Sequence, residues 1–183
     1  MKKILILLLC VFYGSKIFSQ TDSLQLISKT NDPLVPEFLN KPFYLDAGNH
    51  RLLDLEVPMV DSKSRFVGLS KHGLFAEINS PNSSVRISKA DTIKFIMRVT
   101  AGKDPRDLCS FGVFTVKKDK REVEVTEYSR WGGVVTSQKD VSKKVPYEIK
   151  MVEEGVYLLL LTSLAPGEYY FVTNNKTFAF GID

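Results

Sequence analysis

Residues 92–100 read Thr-Ile-Lys-Phe-Ile-Met-Arg-Val-Thr, a segment in which apolar and polar side chains alternate. Every second residue is apolar, namely Ile93, Phe95, Met97 and Val99. Four of the five remaining positions are polar. Successive side chains of a β-strand point to opposite faces, so this alternation predicts a strand with one face in a core.

Short segments of the same kind continue from residue 41 to residue 182, with turn signals such as Ala47-Gly48-Asn49 between them. The predicted strands are residues 41–46, 51–57, 74–79, 84–88, 92–100, 111–116, 122–128, 145–151, 156–161, 169–173 and 177–182. No window predicts a helix of three turns. The sequence therefore predicts an all-β fold, an antiparallel β-sandwich of about ten short strands.

The first twenty residues have the composition of a signal peptide. Lys2 and Lys3 form a positive head, and residues 4–13 are an apolar run. That run is too short for a membrane span, which takes about 20 residues. We expect residues 1–20 to be a signal peptide cleaved after Ser19 or, as second choice, after Gln20. The alternative is an uncleaved N-terminal anchor.

Two further membrane attachments are not expected. A lipoprotein signal needs a small residue before its cysteine, and Leu9 precedes Cys10. The longest later apolar run, Val156 to Leu161, has only six residues, so the sequence predicts no transmembrane segment after signal cleavage. The protein is expected to be secreted or periplasmic.

The remaining chain is expected to form one domain. The whole chain has 183 residues, and the part after residue 20 gives room for a single core, with residues 21–40 as an extended leader and residues 41–183 as the β-sandwich. The chain carries 25 Lys and Arg against 21 Asp and Glu, but Lys2, Lys3 and Lys16 lie in the signal region. Without them the net charge falls from +4 to +1, so we expect no nucleic-acid partner.

One motif near the C-terminus sharpens the fold prediction. Leu164-Ala165-Pro166-Gly167-Glu168-Tyr169-Tyr170 lies between two apolar segments and resembles the tyrosine corner of immunoglobulin-like and fibronectin type III domains. The resemblance implies a turn at Pro166 and Gly167, and a Tyr170 ring at the sandwich edge whose hydroxyl bonds to the backbone upstream. It also implies that residues 156–161, 169–173 and 177–182 are strands E, F and G. The alternative is an ordinary tight β-turn with a surface tyrosine.

The same C-terminal pattern is similar to that of secreted bacterial β-sandwich proteins of unassigned function. This resemblance implies export and an immunoglobulin-like fold, and it implies no activity.

The sequence offers few residues suited to catalysis. Cys109 is the only cysteine after the signal region, and it would need His50 or His72 as a base. Arg106 could lower the pKa of its thiol; the alternative is a small, half-buried residue at a strand start. Glu122 and Glu124 share a strand face, as paired carboxylates of a hydrolase would, although solvated residues do so too.

Metal and cofactor signals are also weak. The chain has two histidines and no His-x-x-x-His or Cys-x-x-Cys spacing, which leaves a mixed site of His72, Glu77 and Asp residues as the alternative. Trp131-Gly132-Gly133 lacks the Lys-Ser/Thr of a phosphate-binding loop. We expect no metal and no cofactor.

The most suggestive segment for binding is Tyr128 to Gly133, which holds the only tryptophan of the chain. We predict a loop in which Tyr128, Arg130 and Trp131 contact a sugar ring or a protein partner. The alternative for Trp131 is that it folds back and caps the core. A second basic segment, Lys117 to Arg121, is predicted to be a solvated hairpin turn rather than a contact for an anionic polymer.

These observations predict a non-enzymatic binding or structural module of the bacterial envelope, with a protein or glycan of the envelope as partner. One alternative is a small secreted hydrolase that uses Asp and Glu residues or Cys109. Another is a carbohydrate-binding module that uses Trp131 and Tyr128. A third is a structural subunit whose edge strands pair with a neighbour.

Overall fold

The computed structural model describes residues 34–67, 71–131 and 134–183, without the side chains of Arg130, Trp131 and Val134. The predicted signal peptide and the leader up to Pro33 lie outside these residues. The strands are β1 (Pro42–Asp46), β2 (Arg51–Asp54), β3 (Asp61–Phe66), β4 (Lys71–Ile78), β5 (Arg86–Ile87), β6 (Thr92–Arg98), β7 (Cys109–Val113), β8 (Thr115–Val116), β9 (Arg121–Trp131), β10 (Val134–Asp140), β11 (Glu148–Glu153), β12 (Val156–Thr162), β13 (Gly167–Thr173) and β14 (Lys176–Ile182). A single-turn helix, α1 (Pro105–Leu108), precedes β7.

The predicted all-β class is confirmed, and three elements were missed. Two of them, β3 and β10, are polar strands at the edges of one sheet, where neither face is well buried. The third is α1, which begins at a Pro and is capped by Asp104, whose carboxylate accepts a hydrogen bond from the Arg106 N–H at 2.8 Å. Asp before Pro at the first helical position is a helix-start signal, although one turn is too short to show periodicity.

The strands form three sheets. We call them the base sheet (β11-β12-β6-β1-β2), the central sheet (β5-β14-β13-β7) and the outer sheet (β10-β9-β4-β3, with β8 also paired to β9). All neighbouring strands are antiparallel except β5 and β14, which are parallel.

The base and central sheets have the strand order of an immunoglobulin-like sandwich. Strands β1, β6, β12 and β11 are neighbours in the order A-B-E-D, and β7, β13 and β14 in the order C-F-G. The predicted segments 156–161, 169–173 and 177–182 lie within β12, β13 and β14. The outer sheet is added to this plan by two insertions, β3 and β4 after strand A, and β8 to β10 after strand C.

The main core lies between the base and central sheets. Phe95 of β6 is fully buried, with ring centroids 5.0 Å from Phe171 of β13 and 4.9 Å from Phe180 of β14. Leu159 and Phe111 extend the same cluster. Burial of a Phe side chain contributes roughly 1.5–3 kcal/mol, so this cluster is the principal source of stability.

A second core lies on the opposite face of the central sheet. There Tyr170 and Ala179 pack against Ile78 and Val123 of the outer sheet, with Phe114 beside them. The central sheet is therefore buried on both faces, which explains why β13 and β14 are apolar at successive positions rather than alternating. The described residues from Leu34 onward therefore form three β-layers.

The two tyrosines of the C-terminal motif lie on opposite faces of the central sheet. The hydroxyl of Tyr169 donates to the carbonyl of Ala165 at 2.8 Å, so the backbone bond predicted for Tyr170 belongs to its neighbour. Tyr170 lies in the second core instead, with its ring 4.6 Å from that of Phe114. The spacing of the motif pointed to Tyr170, but the strand is buried on both faces, and the tyrosine on the side of the main core, Tyr169, makes the backbone bond.

A buried arginine joins the layers. Arg121 of β9 has no exposed surface, and its guanidinium donates to Glu168 Oε2 of β13 at 3.2 Å and to Glu56 Oε1 at 2.6 Å. Glu56 in turn pairs with Ala179 of β14 through two backbone hydrogen bonds. The prediction that Lys117 to Arg121 form a solvated turn is therefore wrong at Arg121. The buried charge of this residue is compensated by two carboxylates.

The same carboxylates hold the segment before β5. Glu168 accepts a hydrogen bond from the Ser83 N–H at 2.8 Å and forms an ion pair with Arg86, which also bonds to Asp183 at 2.6 Å. Gly181 leaves the space for this pair, because a Cβ there would lie 2.7 Å from Glu168 Oε1 and overlap the Arg86 guanidinium. We call Glu56, Arg86, Arg121 and Glu168 the charge cluster.

We expect Arg121→Leu to lower the free energy of unfolding by about 3–5 kcal/mol, because it leaves two carboxylates without their buried partner. Urea denaturation measures the change. Lys118→Leu, an exposed position in the same hairpin turn, is the matched control and should stay within about 0.5 kcal/mol of the parent. Equal effects of the two substitutions would show that Arg121 does not join the layers.

Candidate functional site: a cleft between the central and outer sheets

A cleft of about 390 Å³ opens beside the second core, between the central and outer sheets. Its apolar wall is formed by Val60, Ala76, Phe114, Val123, Val125, Tyr170 and Val172. Ser110, Thr126 and Thr177 add hydroxyl groups to the lining. The volume falls within the range of small-molecule sites, roughly 300–1,000 Å³.

The local sequence explains why the two sheets do not close on each other here. Ala76 is small, and β9 carries a bulge: Leu74 pairs with Thr126 and Phe75 with Glu124, which leaves Val125 as an extra residue. A bulge bends its strand and increases the local twist. The cleft therefore lies where β9 bends, away from the end held by the charge cluster.

The cleft has a polar, ionised mouth. Asp140 accepts hydrogen bonds from the Ser142 hydroxyl at 2.6 Å and from Lys144 Nζ at 2.9 Å. The hydrogen bond from Ser142, followed by that from Lys144, lowers the pKa of Asp140 to about 2. The carboxyl group of Asp140 is therefore ionised at neutral pH.

One hydroxyl in the lining stays neutral well above physiological pH. Burial, with a smaller contribution from Asp140, raises the pKa of Tyr170 to about 12. The ring fits over Gly112, where a Cβ would approach the Tyr170 hydroxyl to 2.5 Å. Tyr170 thus brings a hydrogen-bond donor into an otherwise apolar wall.

The wall of the cleft continues along the outer sheet as a row of aromatic rings. His72 shares a face of β4 with Ala76, because residues two apart point the same way. Its ring lies 4.2 Å from Phe66 and 5.3 Å from Tyr128, nearly parallel to the latter at 9°. The Tyr128 hydroxyl lies 2.7 Å from Ser64 Oγ. We call Ser64, Phe66, His72 and Tyr128 the aromatic row.

The predicted contact loop is instead the end of a hairpin. Tyr128, Arg130 and Trp131 belong to β9, with Arg130 paired to Val135 and Trp131 to Val134 of β10. The loop prediction was wrong because only Gly132 and Gly133, which lie outside the described residues, separate the two strands. The His72 ring stacks on one face of the Tyr128 ring, so this face is not available for stacking on a sugar. The roles predicted for the Arg130 and Trp131 side chains, which also lie outside the described atoms, stay predictions.

Cys109 lies in the main core. It is 3% exposed, and burial raises the pKa of its thiol to about 12, against a smaller lowering by a hydrogen bond from Tyr147. A nucleophilic cysteine needs the opposite, a lowered pKa and access to solvent. The suggestion that Arg106 activates this thiol is therefore wrong, because desolvation dominates.

Two of the acidic residues singled out from the sequence, Glu77 and Glu122, form ion pairs on the far face of the outer sheet. Glu77 and Glu122 are cross-strand neighbours and both are buried. The cations around them are Arg65, Lys117 and Lys120. Burial raises the pKa of Glu122, but hydrogen bonds from Lys117 and Arg65 outweigh it and lower the pKa overall. The carboxylate of Glu122 is thus held ionised.

The structure also places the two candidate metal ligands, His72 and Glu77, on different faces of β4. Glu77 lies on the opposite face of β4 from Ala76 and His72, so His72 and Glu77 do not converge. Within residues 34–67, 71–131 and 134–183, no group of three or more His, Cys, Asp and Glu side chains is arranged to hold a metal. Glu124 shares the far face of the outer sheet with Glu122 and is likewise outside the cleft.

Sequence reasoning missed the residues that form the cleft. Ala76, Val125 and Val172 come from three strands and read as ordinary core residues, whereas Tyr170 was singled out for its place in the C-terminal motif and not as part of a cleft. In the part of the chain that the structure describes, no helix has the length and apolar character of a membrane span. No protein-family model matches the chain, and comparisons with curated proteins and with solved structures find no match.

The buried thiol predicts an alkaline loss of stability. The pKa of Cys109 rises from 9.0 to about 12 on folding, so the unfolded chain releases this proton first and the free energy of unfolding falls between those pH values. Cys109→Ala removes this effect and should flatten the decline by up to about 1.4 kcal/mol per pH unit. Urea denaturation of both proteins from pH 7 to 11 measures it; parallel pH profiles would contradict the assignment.

Proposed function

We propose that this protein is an exported, non-enzymatic binding module of the bacterial envelope that holds a small apolar ligand, or the apolar end of a larger one, between its central and outer sheets. The cleft of about 390 Å³ carries the proposal. The export is supported by the composition of residues 1–20, and the binding by the chemistry of the lining.

The lining favours an apolar ligand with one hydrogen-bond acceptor. Val123, Val125 and Val172 offer aliphatic surface, whose burial against a ligand contributes about 25 cal/mol per Å². The neutral hydroxyl of Tyr170 can donate one hydrogen bond. Asp140, the carboxylate at the mouth, is held ionised by its neighbours and is fit to bind rather than to transfer protons at neutral pH.

The aromatic row extends the same surface beyond the mouth. Phe66 is 75% exposed, although it lies beside His72 on the face that lines the cleft. An exposed aromatic ring continuous with an apolar cleft is typical of a contact surface. The remainder of a larger ligand, such as an envelope protein or glycan, would lie here, which keeps Tyr128 in the proposed contact surface.

Binding is tested with the neutral fluorophore N-phenyl-1-naphthylamine, whose emission rises in apolar surroundings. We expect saturable binding by the parent, and a loss of affinity of at least tenfold in Ala76→Phe, whose ring fills the cleft. The matched control is Ala90→Phe, which adds the same ring at an exposed position and should bind like the parent. Equal affinities in all three proteins would exclude the cleft as the site, provided that urea denaturation shows them all folded.

Export is tested separately by N-terminal sequencing of the protein recovered from envelope and extracellular fractions. The expected first residue is Gln20 or Thr21, because the small residue Ser19 precedes the first of these bonds. A chain that retains Met1 and remains in the cytoplasm would contradict the proposed location without affecting the cleft.

A further inference from the structure

A second cavity, of about 740 Å³, lies at the end of the central sheet where β13 turns into β14. Its walls come from the segment before β1, from the segment between β2 and β3, and from the turn of the β13–β14 hairpin. Val60 and Thr177 line both this cavity and the cleft, so the two are neighbours, but their other lining residues differ. We call it the β14 cavity.

The β14 cavity contains an unpaired stretch of strand edge. On the side of β14 away from β13, the N–H and C=O groups of Ala179 bond to Glu56. Backbone groups two residues apart in a strand point the same way, so the N–H and C=O of Thr177 also point to this side. The residue opposite Thr177 in this register is Pro58, which has no N–H to donate. Pairing therefore stops at Glu56, and among the described residues no backbone group bonds to Thr177 on this side.

Apolar side chains stand exposed around this edge. Phe38 is 55% and Val57 is 60% exposed, and both line the cavity. Met59, two residues further along the same segment, is 86% exposed. A cluster of exposed apolar side chains beside a cavity marks a surface that a partner covers.

Asn40 is fixed at the wall of the same cavity. Its N–H donates to the carbonyl of Arg98 at 2.7 Å, and its carbonyl accepts a hydrogen bond from the Thr173 hydroxyl at 2.5 Å. Its carboxamide oxygen is buried and has no hydrogen-bond partner among the described residues. The carboxamide can therefore turn toward a ligand N–H without breaking a hydrogen bond of that oxygen.

The charged side chains that line the β14 cavity are cations. They are Lys41 and Lys176, and no Asp or Glu is found among its described lining residues. Lys41 is paired with Asp54 at 2.5 Å. Lys176 is exposed at the start of β14 and has no salt bridge to a described residue, so a ligand carboxylate beside it would meet an uncompensated charge.

We propose that the β14 cavity binds an extended peptide segment of a partner protein, which adds as a short strand to the free edge of β14 at Thr177. One residue of the peptide exchanges two backbone hydrogen bonds with Thr177, as Glu56 does with Ala179. Apolar side chains of the peptide cover Phe38 and Val57, and an acidic side chain or the terminal carboxylate lies beside Lys176. The edge favours a peptide over a lipid, because an acyl chain has no donor for the Thr177 carbonyl. This inference does not depend on an apolar ligand in the cleft.

The occupant is tested with a displayed library of random heptapeptides that have free C-termini, screened against the purified full chain. The proposal predicts enrichment of peptides that alternate apolar residues and carry an acidic residue, and saturable binding of the selected peptides by fluorescence polarisation. A library without an enriched peptide would overturn the proposal. Saturable binding of dodecanoate in place of any peptide would assign the cavity to an anionic lipid and overturn it as well.

A pair of substitutions at Thr177 tests the strand addition itself. Thr177→Pro removes the N–H that faces the cavity and no hydrogen bond to β13, and it should weaken binding of the selected peptide about fivefold or more. Thr177→Val keeps the N–H and the shape of the side chain, and should bind within about twofold of the parent. Urea denaturation checks that both variants are folded. Equal affinities of the two folded variants would overturn the proposal.

A second pair tests the site without altering the strand edge. Lys176→Glu reverses the charge at the cavity and should weaken binding of an acidic peptide about threefold or more. Lys89→Glu makes the same change at an exposed position away from the cavity and should bind like the parent. Equal affinities of these two variants would overturn the proposal even if Thr177→Pro does not fold.

Discussion

The buried guanidinium of Arg121 is the constraint on which the three-layer arrangement depends. An arginine with no exposed surface is stable only where its charge is met by carboxylates, and here Glu168 and Glu56 meet it. Glu168 lies in β13 of the central sheet. Glu56 lies in a segment that pairs with Ala179 of β14, in the same sheet. A strand of the outer sheet is thereby held against the central sheet at one end, and the bulge in β9 bends it away at the other. The cleft is a consequence of these two features.

The sequence was informative where one face of a strand is buried and the other solvated. In β6 the inward residues Ile93 and Phe95 are separated by the polar Lys94, and the predicted strand agrees with the observed one to within two residues. The same reasoning failed for β3 and β10, whose residues gain their conformation from pairing rather than from burial. Alternation carries no signal where neither face enters a core.

The double burial of the central sheet was present in the sequence but was not used. Residues 169–172 read Tyr-Tyr-Phe-Val, an unbroken apolar run that is typical of a strand covered on both faces. Applying that reasoning here would have predicted a third layer and left open which tyrosine makes the backbone bond. It was applied instead to Val156 to Leu161, a run that lies in β12 and is buried at most of its positions.

The candidate site could not be located from the sequence, because its residues carry no distinctive chemistry. Val125 and Val172 become a cleft wall only through a bulge and the distance between two sheets, both of which are tertiary features. A Gly-Gly pair is a hairpin signal when strand-like segments flank it, but residues 134–140 give no strand pattern, so Tyr128 to Gly133 was interpreted as a loop. Cys109 similarly reads as a possible nucleophile until the structure places its thiol in the core.

The central claim is that the cleft between the central and outer sheets binds an apolar ligand. Its most direct test is an NMR titration. The protein carries ¹³C-labelled valine methyl groups, and N-phenyl-1-naphthylamine is added in steps. The methyl resonances of Val125 and Val172 should shift to saturation, while those of Val99 in the main core stay in place. Shifts confined to Val99, or no saturable shift at Val125 and Val172, would contradict the claim.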